Sequence, residues 1–169
     1  MSTGEQKALE VLAAQVGALL RANGQKLVTA ESCTGGWVAQ CLTAIAGSSM
    51  WFERGFVTYS NEAKHEMLGV EVETLNAHGA VSEATAAAMA TGALRHSDAD
   101  WALSITGIAG PDGGSPEKPV GTVCFGWAGR EAGVEVDTRH FAGDREAIRR
   151  QSVEFALRGL VLRAATLDA

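Results

Sequence analysis

The segment that most restricts the fold runs from residue 26 to residue 47. KLVTAES (26–32) is a short run with β-branched residues and reads as a buried strand. Cys33-Thr34-Gly35-Gly36 follows it, and then an apolar stretch over 36–46 that Gly47 stops. A strand that turns on glycines directly into a helix is the unit from which α/β sheets are built. The helix start created in this way has free N–H groups that suit an anion.

The rest of the chain continues the alternation. A first helix is expected from near Thr3 to Gly24, with Gln6 placed for a capping box and Leu9, Leu12, Val16, Leu19 and Leu20 on one stripe. RGFVTYS (54–60) reads as a second strand, and Ser60 or Asn61 caps a helix through Leu68. Ser82 caps an Ala-rich helix to Arg95. WALSITG (101–107) and GTVCFGWAG (121–129) read as strands flanking a Gly/Pro loop, and VEVDTRHF (134–141) as a strand at an edge or a solvated face. Asp144 caps a last helix to about Leu162 that turns Ile148, Phe155 and Leu160 inward. These elements predict a three-layer α/β/α sandwich with a mostly parallel, mixed sheet, because the last two strands have hairpin spacing. At 169 residues, with no linker or repeat, one domain over 1–169 is expected.

The bulk properties narrow the function classes. The composition is 46% hydrophobic and 20% charged, an ordinary globular balance, and the net charge of −6 argues against a nucleic-acid partner. Cys33, Cys41 and Cys124 form no C-x-x-C pair and leave an odd count, so a disulfide framework is not expected and a reducing compartment is. The N-terminal apolar stretch is interrupted by Glu5, Lys7, Glu10 and Arg21. It reads as neither signal peptide nor membrane span, so a cytoplasmic protein with no membrane partner is expected. The Ala-rich helix (82–95) carries few charges and leads us to expect a homodimer interface there.

Three segments combine polar residues with glycine, and in α/β sheets such loops gather at the carboxyl ends of strands. In ESCTGG (31–36), the Ser32 and Thr34 hydroxyls and the Gly35 and Gly36 N–H groups suit a monophosphate, although ordinary helix capping explains the same residues. Cys33 has no cation or histidine in its neighbourhood and reads as a small buried side chain. In TGIAGPDGGSPEKPVGT (106–122), which holds all three prolines, Gly and Pro together specify one loop shape. It is either a plain strand connection or a rigid loop bringing backbone N–H groups to a ligand. The segment 47–64 places Lys64 in the first turn of a helix, where a cation opposes the helix dipole. Desolvation there would bring its amine toward a neutral general base, with Tyr59 in a relay and Ser49, in the turn after Gly47, as the activated serine. A solvated lysine and a capping serine are the alternatives. His65, His78, His96 and His140 are scattered without metal-ligand spacing, so no metal site is expected; His78 reads as part of a turn before Gly79.

TAESCTGGWVA (29–39), AGSSMWFERGFVTYSNEAK (46–64), GAVSEAT (79–85), TGIAGPDGGSPEKPVGTV (106–123) and GDR (143–145) together resemble the CinA C-terminal-domain family, in order and over nearly the whole chain. Stand-alone members of that family are nicotinamide-nucleotide amidases. The resemblance implies hydrolysis of the carboxamide of nicotinamide mononucleotide to nicotinate mononucleotide and ammonia, in pyridine nucleotide recycling, with no metal or organic cofactor. It implies serine, tyrosine and lysine machinery, assigned by matching position to Ser49, Tyr59 and Lys64, with Ser48 adjacent and open as an alternative. Glu31, Ser32, Thr34, Gly35, Gly36, Ser48, Thr106, Gly107, Gly110, Gly113, Gly114 and Arg145 are the expected substrate contacts, and the Gly47–Ser49 turn is the expected source of oxyanion donors. A non-catalytic nucleotide-binding or competence/DNA-damage-associated interaction module is the rival reading.

Overall fold

The computed structural model describes residues 2–166. The first helix, α1 (Thr3–Ala22), starts where expected, but its capping box is built from Ser2 and Glu5 rather than through Gln6. Ser2 is the N-cap, which makes Glu5 the third helical residue and the one able to reach back. It is followed by β1 (Leu27–Glu31), α2 (Trp37–Thr43), a 3₁₀ turn (Ser48–Met50), β2 (Phe52–Val57), α3 (Asn61–Leu68), α4 (Val72–His78) and α5 (Glu83–Arg95). Then come β3 (Trp101–Gly107), β4 (Thr122–Gly129), β5 (Gly133–His140) and α6 (Arg145–Thr166). The helix α4 was not expected, and His78 is its last residue rather than part of a turn. With only Val72, Leu75 and Ala77 as apolar positions in seven residues, α4 carries little helical periodicity of its own.

The five strands form one sheet in the order β2-β1-β3-β4-β5. The β1 strand pairs in parallel with both β2 and β3, whereas β4 runs antiparallel to β3 and to β5. All strands but β4 therefore point the same way, giving the mixed, mostly parallel sheet expected. The interior strand β1 is buried throughout, whereas the edge strand β5 is mainly exposed, which accounts for the alternating polar residues of 134–141.

Side-chain alternation along the strands divides the core in two. Leu27, Trp101, Leu103, Ile105, Phe125 and Trp127 face α1, α2 and α6. Val28, Ala30, Ala102 and Ala128 face the layer that contains α3, α4 and α5. The Ala-rich α5 is not a free face. Thr85, Ala86, Met89, Ala90, Gly92, Ala93 and Leu94 are buried against the sheet and α3, which removes the basis on which a dimer interface was expected there. Its small residues are explained by close approach: a Cβ at Gly92 would collide with the Leu68 carbonyl, and one at Gly126 would stand 2.6 Å from the Ala86 carbonyl oxygen. Low charge on this helix reflects burial within the chain. All three cysteines are free and buried. No helix among the described residues is long and apolar enough to cross a membrane.

Candidate active site

At the carboxyl ends of β1, β2 and β3 lies a cleft of about 280 Å³, lined by residues that include Ser32, Tyr59, Lys64, Thr106, Gly107 and Arg145. They come from four stretches of the chain: Ser32 just past β1, Tyr59 and Lys64 around the start of α3, Thr106 and Gly107 at the end of β3, and Arg145 at the start of α6. Ser32 is the first residue past β1. Its N–H continues the parallel ladder onto the Ile105 carbonyl at 2.9 Å, and its own carbonyl turns back to accept from Gly35 N–H at 3.0 Å. The β1–β3 ladder ends at that point. Gly107 N–H, the next donor in register, therefore meets no backbone acceptor among the described residues.

Lys64 reaches this point from α3. The Ser60 hydroxyl caps the helix through Ala63 N–H at 3.0 Å, and Lys64 stands in its first turn, 1% exposed. Its side chain curls back over the N-terminus, placing Nζ 3.1 Å from Ser32 Oγ, 3.0 Å from the Thr58 carbonyl and 3.5 Å from the Tyr59 and Ser60 carbonyls. No carboxylate pairs with the amine among the described residues. Burial pushes its pKa below the usual lysine range, favouring the neutral form. A neutral amine within hydrogen-bond reach of a hydroxyl, at the mouth of a cleft, can take the hydroxyl proton. Next to it, Cys33 is 7% exposed, and burial pushes its thiol up to about 12, so it is held protonated.

Tyr59 lies two residues past β2 and is largely exposed, and its hydroxyl accepts from Arg145 Nη2 at 3.1 Å. Arg145 also donates to the Gly110 carbonyl at 2.7 Å, fixing the start of the Gly/Pro loop. The facing wall is held by Thr106, whose hydroxyl donates to the Ala80 carbonyl at 2.7 Å, and by Lys118, which reaches back to the His78 carbonyl at 2.8 Å. Gly113 lines the cleft; Gly114 does not, being packed instead against Val120. Among the described residues no cluster of three or more His, Cys, Asp or Glu could hold a metal ion.

A family model of the CinA C-terminal domain matches residues 9–163. The chain belongs to the CinA C-terminal domain family. It is 60% identical over 149 residues to nicotinamide-nucleotide amidohydrolase PncC of Escherichia coli strain K12, covering 88% of this chain and 90% of that relative. Among solved structures it is similar to competence/damage inducible protein CihA from Agrobacterium tumefaciens, at 48% identity and TM-score 0.88, covering 91% of this chain and 94% of that one. It is also similar to a CinA superfamily protein from Klebsiella pneumoniae 700603, at 44% identity and TM-score 0.90, covering 94% and 98%.

In this CinA-family domain the expected site residues divide into those gathered and those not. Tyr59 and Lys64 meet in the cleft, with Ser32, Thr106, Gly107, Gly110, Gly113 and Arg145. Ser48 and Ser49 do not. They form the 3₁₀ turn before Phe52, which pairs with Leu27 at the start of β1, whereas Tyr59 and Lys64 follow Val57, which pairs with Glu31 at its end. Six strand residues, roughly 20 Å of rise, separate the two ends. The pairing of Lys64 with Ser49 expected from sequence is therefore corrected to Lys64 with Ser32, and the Gly47–Ser49 turn lies too far away to supply oxyanion donors to that pair.

The helix-start anion site expected at 34–36 is also corrected. Glu31, 1% exposed, fills it: its carboxylate accepts from the Thr34 hydroxyl at 2.7 Å, Val38 N–H at 2.9 Å and Ala39 N–H at 3.1 Å. Burial raises the Glu31 pKa, and these hydrogen bonds oppose the rise. An internal carboxylate thus occupies the place a phosphate would take, and Glu31, Thr34, Gly35 and Gly36 build the turn rather than line the cleft. The Ser32–Lys64 pairing left one signal in the sequence, a serine directly after a buried strand.

Proposed function

We propose that this chain hydrolyses the carboxamide of nicotinamide mononucleotide to nicotinate mononucleotide and ammonia, with Ser32 as nucleophile and Lys64 as its base. The reading is carried by one observation, the 3.1 Å separation of Ser32 Oγ and Lys64 Nζ within the cleft. It is supported by 60% identity to a relative named nicotinamide-nucleotide amidohydrolase.

The geometry supports the following chemistry. Neutral Lys64 takes the Ser32 proton as Oγ attacks the carboxamide carbon. The oxyanion of the tetrahedral intermediate accepts from Gly107 N–H, the strand-end donor with no backbone partner among the described residues. The Lys64 ammonium returns its proton to the amide nitrogen, the C–N bond breaks and ammonia leaves. Water, deprotonated by Lys64, then attacks the acyl-Ser32 ester and releases the carboxylate product. Tyr59, which lines the cleft, relays the proton between Lys64 and the leaving nitrogen. Arg145 and the N–H groups of the Gly110–Gly113 stretch meet the phosphate end of the substrate.

Purified protein incubated with nicotinamide mononucleotide is expected to release one ammonia per nicotinate mononucleotide formed, with free nicotinamide a much poorer substrate. Absence of ammonia, with the mononucleotide bound and recovered intact, would overturn the catalytic reading in favour of a binding module.

A further inference from the structure

The turn carrying Ser32 is gripped from outside by α6. Arg149 donates through Nε to the Cys33 carbonyl at 3.0 Å and through Nη2 to the Thr34 carbonyl at 3.0 Å. Its guanidinium lies over the Trp37 ring, 5.4 Å from the centroid. No carboxylate pairs with it among the described residues, so its directed hydrogen bonds go to two successive backbone carbonyls. The fork geometry of a guanidinium spans two such acceptors, which an ammonium cannot do in one position.

We infer that Arg149 is a positioning residue that sets the backbone of the Ser32 turn, and through it the distance from Ser32 Oγ to Lys64 Nζ. The inference rests on the reading of Ser32 as nucleophile. The turn is held from two sides by opposite charges. Glu31 ties the Thr34 hydroxyl and the start of α2 inward, while Arg149 ties the carbonyls of residues 33 and 34 outward toward α6. The turn needs such ties because Gly35 and Gly36 both take positive φ, at +61° and +98°, and glycine resists neither that conformation nor departures from it. Without Arg149 the Cys33 carbonyl keeps no other backbone donor among the described residues. One turn earlier on the same helix face, Arg145 holds Gly110 and Tyr59, so α6 braces both sides of the cleft.

The test uses the full chain and its Arg149→Met and Arg149→Lys variants, with two readouts: ammonia release from nicotinamide mononucleotide, and the rate at which a fluorophosphonate labels Ser32. Arg149→Met is expected to lower kcat about 100-fold with KM changed less than about threefold, because misplacing a reacting atom by ~1 Å costs that much. Labelling should slow in parallel, and guanidinium ion at sub-denaturing concentration should restore part of both rates. Arg149→Lys, which keeps the charge and carries the test if the Met variant does not fold, should stay at least about tenfold slow. Variants within twofold of the parent in kcat and labelling would overturn the inference, as would a loss confined to KM. If the parent labels at Ser32 but leaves the mononucleotide intact, the substrate reading fails while the labelling rates still decide for or against Arg149. A parent unlabelled at Ser32 removes the nucleophile and the inference with it.

Discussion

Lys64 Nζ and Ser32 Oγ stand 3.1 Å apart although their residues are 32 positions apart in the chain. The contact forms because β1 and β2 are parallel neighbours that both end at the same edge of the sheet. It puts Ser32, and not Ser49, within hydrogen-bond reach of the buried amine.

Replacing Ser32 with alanine should therefore reduce ammonia release from nicotinamide mononucleotide by about 10³-fold or more, the scale of losing a serine nucleophile. Ser49→Ala, an exposed change at the far end of β2, should leave the rate within about twofold. Steady-state ammonia assays on the two variants decide the point, and a reversed pattern would return the chemistry to Ser49.

The rate should rise with pH as Lys64 loses its proton, with a midpoint below the usual lysine range because burial disfavours the ammonium. The same depression affects stability. Between the folded and unfolded pKa values of Lys64 the unfolded chain binds more protons, so this residue's contribution improves as pH rises through that window and is worst below it. Lys64→Met should abolish activity and flatten that part of the stability–pH curve measured by denaturant titration.

Glu31 tests the turn from its inner side. Glu31→Ala orphans the buried Thr34 hydroxyl and two helix N–H groups, and should cost about 3–5 kcal/mol in chemical denaturation. Glu31→Gln keeps an acceptor oxygen and should cost about 1–2 kcal/mol.

Arg145→Ala should raise KM for the mononucleotide about tenfold or more, the worth of a lost charged hydrogen bond of about 1.5–3 kcal/mol. Nicotinamide riboside, which lacks the phosphate, should show no comparable change. An equal effect on both would assign Arg145 to holding Tyr59 and Gly110 alone.

Gly92→Ala should destabilise the fold by about 1–3 kcal/mol, because the added methyl meets the Leu68 carbonyl where α5 crosses α3. Thermal unfolding of this variant measures how tightly the inner helix layer is packed.

Local patterning made most of the architecture legible. The β-branched runs, the serine caps at Ser60 and Ser82 and the apolar stripe of α1 placed nearly every element, because each depends on neighbours within a few residues. The exceptions are instructive. The helix α4 is short and weakly periodic, and α5 looked like a free surface because its alanines pack at close range where large side chains cannot fit. The turn at 34–36 looked open to a phosphate because nothing in a linear reading shows that the carboxylate of Glu31 folds forward onto the helix start.

By itself the sequence determined the family and the α/β layering, since motifs and hydrophobic period are local quantities; the lysine's lowered pKa comes from burial, which the fold supplies. Only the tertiary structure decided which serine that lysine meets. Strand β2 carries Ser49 and Lys64 to opposite ends of the sheet, although they are close in the chain, while the parallel pairing of β1 with β2 brings Ser32 and Lys64 to the same end. Strand direction and neighbour order arise from packing across the whole core, and no window of residues around Lys64 contains them.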